Sequence, residues 1–186
     1  IKDNVTTLIG GKIYRYKKQN GLIVLGETYD LDLSTPSTDL TNSFFDLSQT
    51  LIFHPGYKRK LVFDYYNSKG NLLQATGRDG LITSYLWDAT GSYPLAQVKG
   101  STFSQISTFE GLPANSISST LLLNLKSLAP NAFITTYSYK PLVGLSSQTD
   151  PNGKTTYYEY DDFGRLKFTK DDQGEILKKF DYHYRE

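Results

Sequence analysis

Along most of the chain apolar and polar residues alternate with a period of two, and glycine or proline breaks the alternation at short intervals, the mark of strands joined by tight turns. Lys12-Ile13-Tyr14-Arg15-Tyr16-Lys17 alternates, Gln19-Asn20-Gly21 supplies residues that tolerate positive φ, and Leu22-Ile23-Val24-Leu25 resumes the apolar run. That is a hairpin signal. The polar run 34–38 (STPST) reads as an exposed loop, and Phe44, Phe45, Leu47, Leu51, Ile52 and Phe53 lead to a turn at His54-Pro55-Gly56. From Lys60 the order is strand, glycine turn, strand: Leu61-Val62-Phe63-Asp64-Tyr65-Tyr66, then Asn67-Ser68-Lys69-Gly70, then Asn71-Leu72-Leu73-Gln74. Arg78-Asp79-Gly80 opens another strand through Tyr85 and Trp87, Gly91 closes a turn, and Leu95 to Val98 return. Residues 133–139 (FITTYSY) form a β-branched and aromatic strand that ends at Pro141.

One stretch departs from this rhythm. After Pro113-Ala114-Asn115-Ser116, the spacing of Ile117, Leu121, Leu122, Leu125 and Leu128 predicts a short amphipathic helix capped by Asn115 or Ser116 and stopped by Pro130.

The turns also recur at a fixed step. Gly70 and Gly91 are 21 positions apart, as are Gly153 and Gly174. Trp87 follows Gly80 by 7 positions and Tyr160 follows Gly153 by 7, after which Asp88 matches Asp161 and Gly91 matches Gly164. A unit of about 20 residues holds two strands and two turns, one hairpin, which buries neither of its own faces. Alternation predicts Ile176, Lys178, Phe180, Tyr182 and Tyr184 on one face of the last strand, so that stacked hairpins make a ladder of Phe180, Tyr182 and Tyr184, with Tyr158 and Tyr160 as further mortar. Gly153, Gly164 and Gly174 take the positive-φ positions of the turns, and Asp150 and Asp161 bond backbone amides there.

The fold expected is therefore all-β: antiparallel hairpin repeats forming an extended or spiralling sheet, with one short helix near 115–129. We divide the chain into an N-terminal β region (1–60), repeat hairpins (61–110), a helical insertion (111–131) and further repeat hairpins (132–186), together one continuous structural unit. The absence of an initiator Met before Ile1 reads as a piece cut from a longer protein.

Composition narrows the function classes. Hydrophobic residues at 38% with 21% charged describe a folded chain, and a net charge of +1 gives neither nucleic acid nor a membrane surface much to attract. The short basic groups Lys17-Lys18 and Tyr57-Lys58-Arg59-Lys60 then read as solvated edges that block strand-to-strand aggregation. With Cys at 0, disulfides, thiolate metal sites and cysteine nucleophiles are excluded. No apolar stretch approaches the roughly 20 residues of a membrane span. Aromatics at 14%, with 15 Tyr and no Met, suit pleated, half-buried surfaces.

Glu159-Tyr160-Asp161-Asp162-Phe163-Gly164-Arg165-Leu166, after Asp150-Pro151-Asn152-Gly153, resembles the YD repeat of the RHS family of surface and toxin-associated proteins. The likeness covers 142–184 closely, where Lys140-Pro141-Leu142-Val143-Gly144 and Phe180-Asp181-Tyr182-His183-Tyr184 are similar to versions common in gut Bacteroidetes. It is looser at 61–98, where Trp87 replaces the tyrosine and Ser92 the arginine. The resemblance implies β-sheets that build a shell or scaffold outside the cell, with neighbouring repeats and a toxin cargo or surface glycan as partners and no cofactor. The structural motif residues it points to are Gly70, Trp87, Asp88, Gly91, Asp150, Gly153, Tyr158, Tyr160, Asp161, Gly164, Arg165, Gly174, Phe180 and Tyr182.

No catalytic or metal site emerges from the residues. Asp161-Asp162 and Asp171-Asp172 are adjacent carboxylates that point apart in repeat turns, unlike an acid and base facing each other across a bond. His54 and His183 have no partner at metal-ligand spacing, and no serine sits in a nucleophile elbow. The remaining alternative is a binding surface in which outward aromatics, Tyr85, Trp87 and Tyr157, stack on sugar rings.

Overall fold

A computed structural model describes residues 10–33 and 55–183, with the backbone of 44–45 and 51–52. The loop expected at 34–38, and Leu47, Phe53, His54, Tyr184 and Arg185, lie outside the described residues. Two compact units divide the chain, one of residues 1–64 with 76–80, the other of 65–75 with 81–186.

In the first unit, β1 (Lys12–Gln19) and β2 (Leu22–Leu31) make the hairpin expected around Asn20-Gly21, whose φ angles are 51° and 79°. A two-residue loop with both φ positive follows the natural twist of the strands, and Asn-Gly reaches it at least cost. Two-residue strands β3 (Phe44–Phe45) and β4 (Leu51–Ile52) pair with each other, and β2 pairs with β5 (Tyr57–Tyr66), whose last two residues belong to the second unit. The run Lys58-Arg59-Lys60 is exposed and pairs with β2 along one side. Lys60 bonds Asp30 at 2.7 Å, and Glu27 takes both Arg15 at 2.8 Å and Arg59 at 3.5 Å, so cross-strand acids balance these cations.

The second unit continues through β6 (Leu72–Gly77), whose last two residues belong to the first unit, and then β7 (Ile82–Trp87), β8 (Pro94–Lys99), β9 (Phe133–Lys140), β10 (Gly144–Thr149), β11 (Thr155–Tyr160), β12 (Leu166–Lys170) and β13 (Ile176–Lys179). Hydrogen-bonded neighbours follow the order β1-β2-β5 in the first unit and β6-β7-β8-β9-β10-β11-β12-β13 in the second. The fold is the antiparallel all-β hairpin sheet with a short helix that the sequence predicts.

That helix is α2, with α1 (Phe103–Ile106) preceding it between β8 and β9; α2 spans Ser118–Leu128 with Ile117 at its N-cap. Neither Asn115 nor Ser116 caps it. The Ser116 hydroxyl is already spent on the Pro113 carbonyl at 2.7 Å in a separate turn. The single turn α1 follows Thr102, whose N–H donates to Gln105 Oε1 at 3.0 Å.

The core consists of Leu86, Leu95, Ala96, Val98 and Ile134 from the sheet and Ile106, Leu121, Leu122 and Leu125 from the helices. It is aliphatic, and Tyr158, Tyr160, Phe180 and Tyr182, expected to be mortar, lie outside it. A helical cover on one face lets leucines interdigitate there, while tyrosines such as Tyr137 and Tyr139 alternate to the other face. Beside the N-terminus of α2 the interior turns polar. Ser118 Oγ lies 2.9 Å from both Ser147 Oγ and Thr149 Oγ1, Thr149 Oγ1 lies 2.9 Å from Thr155 Oγ1, and the Thr136 hydroxyl donates to the Ser118 carbonyl at 2.6 Å. All five residues are buried, and hydroxyls, each donor and acceptor, satisfy one another without any charge.

The C-terminal ladder differs from expectation. β13 stops at Lys179, and cations lie over the two rings: Lys178 Nζ 4.7 Å from the Phe180 ring centre and the Arg165 guanidinium 4.6 Å from that of Tyr182. The Tyr182 hydroxyl donates to the Leu166 carbonyl at 2.9 Å, anchoring the chain after the strand has ended.

Candidate functional site

Among the described residues, five turns share one construction. An Asn or Asp opens each, and a glycine three positions later takes a left-handed φ: Asn67 with Gly70 (85°), Asp88 with Gly91 (72°), Asp150 with Gly153 (88°), Asp161 with Gly164 (73°) and Asp171 with Gly174 (83°). The glycine N–H donates to the opening carbonyl at 2.9–3.2 Å in every case. In four turns a single oxygen, Oδ1, accepts the N–H groups two and four residues on. Asn67 takes Lys69 and Asn71, Asp150 takes Asn152 and Lys154, Asp161 takes Phe163 and Arg165, and Asp171 takes Gln173 and Glu175, at 2.9–3.0 Å. The side chain thus occupies amides that the turn leaves without backbone partners, and glycine meets the φ that other residues resist.

The turn at Asp88 is one residue longer and more enclosed. Its Oδ1 accepts from the N–H of Ser92 and Tyr93 at 2.8 Å each, and its Oδ2 from the N–H of Thr90 at 3.1 Å and the Thr90 hydroxyl at 2.6 Å. Burial alone pushes the Asp88 carboxyl up, but the Thr90 hydroxyl and the amides of Tyr93, Thr90 and Ser92 together outweigh it, leaving a net depression. Lys69 and Asn71 reach over from the preceding turn, donating to the carbonyls of Ala89 at 2.8 Å and Gly91 at 2.6 Å. Glu110 approaches from the helical insertion, and its Oε2 accepts the Trp87 N–H at 2.8 Å. Burial raises the Glu110 carboxyl, the Trp87 amide opposes this, Asp88 adds to the rise and Lys69 subtracts from it; the net is upward. At Asp161 the Arg165 side chain lowers the carboxyl most, through Nε at 2.8 Å and Nη2 at 2.6 Å, and the amides of Arg165 and Phe163 lower it further.

The three aromatics singled out for sugar stacking fall on two faces. Leu86, Ala96, Ile134 and Thr136 share the face covered by α2, and Tyr157 joins it, directly opposite Ser147, at 44% exposure. Tyr85 and Trp87 alternate to the other face, where the Trp87 indole donates to the Leu72 carbonyl at 2.8 Å. Tyr158 and Tyr160 lie on that same face, and the Tyr160 hydroxyl donates to the Leu145 carbonyl at 2.9 Å. Sequence reasoning passed over Tyr93, Tyr137 and Tyr139, which belong here too. The rings of Tyr93 and Tyr139 are 4.9 Å apart, and burial, with the charge of Tyr137 adding, pushes the Tyr139 phenol up to about 12. The signal was available in the alternation of Phe133, Thr135, Tyr137 and Tyr139 along one strand. Glu110 was also passed over, and nothing in its local pattern marks it. His183 is exposed.

The repeated Asx–glycine turn agrees with a family-level comparison: the model of the Teneurin YD-shell family matches residues 46–181, well over half of the chain. The chain belongs to the Teneurin YD-shell family. It is an RHS/YD-repeat protein, and its role as a YD-shell segment is structural, the building of a shell from hairpins. No curated protein matches it significantly. Among solved structures it aligns with a mutant of the Photorhabdus luminescens Tc holotoxin pore at 12% identity, over 84% of this chain and 12% of that one, with a TM-score of 0.22. Among the described residues of this YD-shell segment, no helix is long and apolar enough to cross a membrane.

Proposed function

We propose that this YD-shell segment is a wall without chemistry of its own, part of a Bacteroidetes-type protein at the cell exterior whose shell encloses or displays a toxin or effector carried elsewhere in the full-length polypeptide. The observation that supports this reading is the recurrent turn. A hairpin that closes with its own Asx acceptor and its own glycine asks only an edge of its neighbour, which is what a wall lengthened unit by unit requires. In this reading 61–110 and 132–186 are wall, 111–131 is a helical insertion and 1–60 leads into the repeats. The paired acids fit the same view. Asp161 and Asp171, the first of each pair, are occupied by backbone amides, the position of a brace and not of a proton donor aimed at a substrate.

Enclosure is tested by proteolysis of the full-length protein. The effector segment resists proteinase K in the wild type and is cut when Leu125→Asp opens the core. Equal cleavage of the effector in both proteins refutes enclosure, and failure of an antibody against 132–186 to label intact cells refutes surface display.

A further inference from the structure

We propose that Asn20 is a site of covalent modification, an asparagine that converts spontaneously to isoaspartate and thereby loosens the tip of the β1–β2 hairpin, while the turn around Asn152-Gly153 shields that second Asn-Gly pair from the same reaction. The chemistry belongs to the dipeptide. Glycine has no side chain to screen its nitrogen, so the nitrogen can attack the Cγ of the asparagine before it. An N–Cγ bond forms, the Cγ–Nδ2 bond breaks, and ammonia leaves with the proton that the nitrogen gives up. The five-membered succinimide is then opened by water. Opening at Cγ gives aspartate; opening at the α-carbonyl gives isoaspartate, whose main chain runs through Cβ and Cγ and is one methylene longer. One water enters and one ammonia departs, with no change of oxidation state.

The two pairs differ in how the structure holds them. All four residues are exposed, so access to water does not separate them. Hydrogen bonds do. The Gly153 N–H donates to the Asp150 carbonyl at 3.0 Å, and Asp150 Oδ1 accepts the N–H groups of Asn152 and Lys154 at 2.9 Å each. The attacking nitrogen is engaged and pinned on both sides, and the ring cannot close until these bonds break. Asn20-Gly21 is instead a two-residue tip, with Gln19 paired to Leu22 across it, so the turn opens on a residue other than Asn or Asp. Asn20 is held at φ 51°, where a side chain resists the backbone. The tip also ends β1, which has β2 as its one hydrogen-bonded neighbour and whose side chains are all exposed or only partly buried. Such an end opens locally at low free energy, and opening is what lets the ring form. An added methylene at position 20 takes the loop out of the geometry that two positive-φ residues give it, so Gln19–Leu22 and Lys18–Ile23 lose register. Further along, the Arg15–Glu27 bridge at 2.8 Å and the bond from Lys17 Nζ to the Phe63 carbonyl at 2.6 Å confine the damage to the tip. The inference goes beyond the wall reading and rests on different residues, so either can fail alone.

The experiment is incubation of the 186-residue chain at mildly alkaline pH, followed by peptide mapping with electron-transfer fragmentation, which tells isoaspartate from aspartate. In the folded chain Asn20 should convert about tenfold faster than Asn152 or more, and in urea the two rates should come within about twofold of each other. Asp150→Ala should raise the Asn152 rate about tenfold, with thermal unfolding to confirm that the variant is folded; if it is not, the contrast between folded and urea-unfolded wild type decides alone. Asn20→Gly, which keeps a turn-forming pair, should abolish conversion at the tip. In the isoaspartate fraction, separated by ion exchange, the amides of β1 nearest the tip should exchange faster than in the parent while those of β9 to β12 do not change. Equal rates at the two sites in the folded chain, a difference that persists in urea, an Asn152 rate unmoved by a folded Asp150→Ala, or unchanged exchange at the tip each overturns the proposal.

Discussion

Asp88 offers the most demanding check of the turn argument. Asp88→Ala removes the acceptor for three backbone N–H groups, of Thr90, Ser92 and Tyr93, and for the Thr90 hydroxyl, at a residue only 5% exposed. A hydrogen bond to a charged group contributes about 1.5–3 kcal/mol net. The four share one carboxylate and part of the loop can turn to water, so we expect a loss of about 3 kcal/mol rather than the sum. For a chain of this size that lowers the thermal midpoint by about 6–12 °C. Asp171→Ala, in the equivalent outer turn with two amide bonds and more solvent, loses about 1 kcal/mol. The assay is urea denaturation followed by the fluorescence of Trp87, the only tryptophan, which reports on the unit that contains both residues. A pH series adds a second reading. Because the folded-state Asp88 carboxyl is depressed, its stabilisation is full above the unfolded value of about 3.9 and is lost as pH falls through the folded value. The deficit of Asp88→Ala should therefore be largest at neutral pH and shrink below about pH 4. Equal losses for Asp88→Ala and Asp171→Ala, or a deficit constant from neutral to acid pH, would refute the reasoning.

Three further outcomes follow from the same geometry. Gly91→Ala should be the costlier of two turn substitutions, because its new Cβ meets Lys69 Cδ at 2.7 Å and Asn71 Nδ2 at 2.8 Å, whereas Gly153→Ala opens into free space and loses only the φ preference, about 1 kcal/mol; parallel thermal melts decide this. Glu110→Gln should stabilise the chain at neutral pH, since a carboxyl raised in the fold favours the folded state at acid pH and loses that advantage as pH rises through its folded value; the gain, about 2 °C in midpoint, should vanish below about pH 4. Ser118→Ala should cost about 1–3 kcal/mol by removing the hydroxyl that Ser147 and Thr149 share, with Thr149 keeping its bond to Thr155; chemical denaturation of the variant tests this.

Much of the architecture was legible because backbone demands show directly in residue type. Asn20-Gly21, Gly153, Gly164 and Gly174 mark places where the chain must turn with positive φ, and the alternation between them marks strands. The Asx role of Asp150 and Asp161 follows from the same local logic. What stayed hidden depends on residues far apart in sequence. The aliphatic core arises where Leu121, Leu122 and Leu125 meet Leu86, Val98 and Ile134, and no local pattern tells a tyrosine-rich sheet which face a helix will cover. Tyr85 and Tyr157 were grouped as outward aromatics, yet opposite strand parities send them to different faces. The acids that balance Arg59 and Lys60, Glu27 and Asp30, were hidden because they lie on another strand.

The detour between Lys99 and Phe133, which are directly paired, has a further meaning. Closing so long an excursion costs only about 2–3 kcal/mol more in chain entropy than a two-residue turn, and burying the four helical side chains offsets that several times over. A short link spliced across those ends would keep the ladder of backbone bonds but leave the leucines beneath wet. The excursion is thus the masonry's own roof, and removing it would bare Leu86, Val98 and Ile134 to water.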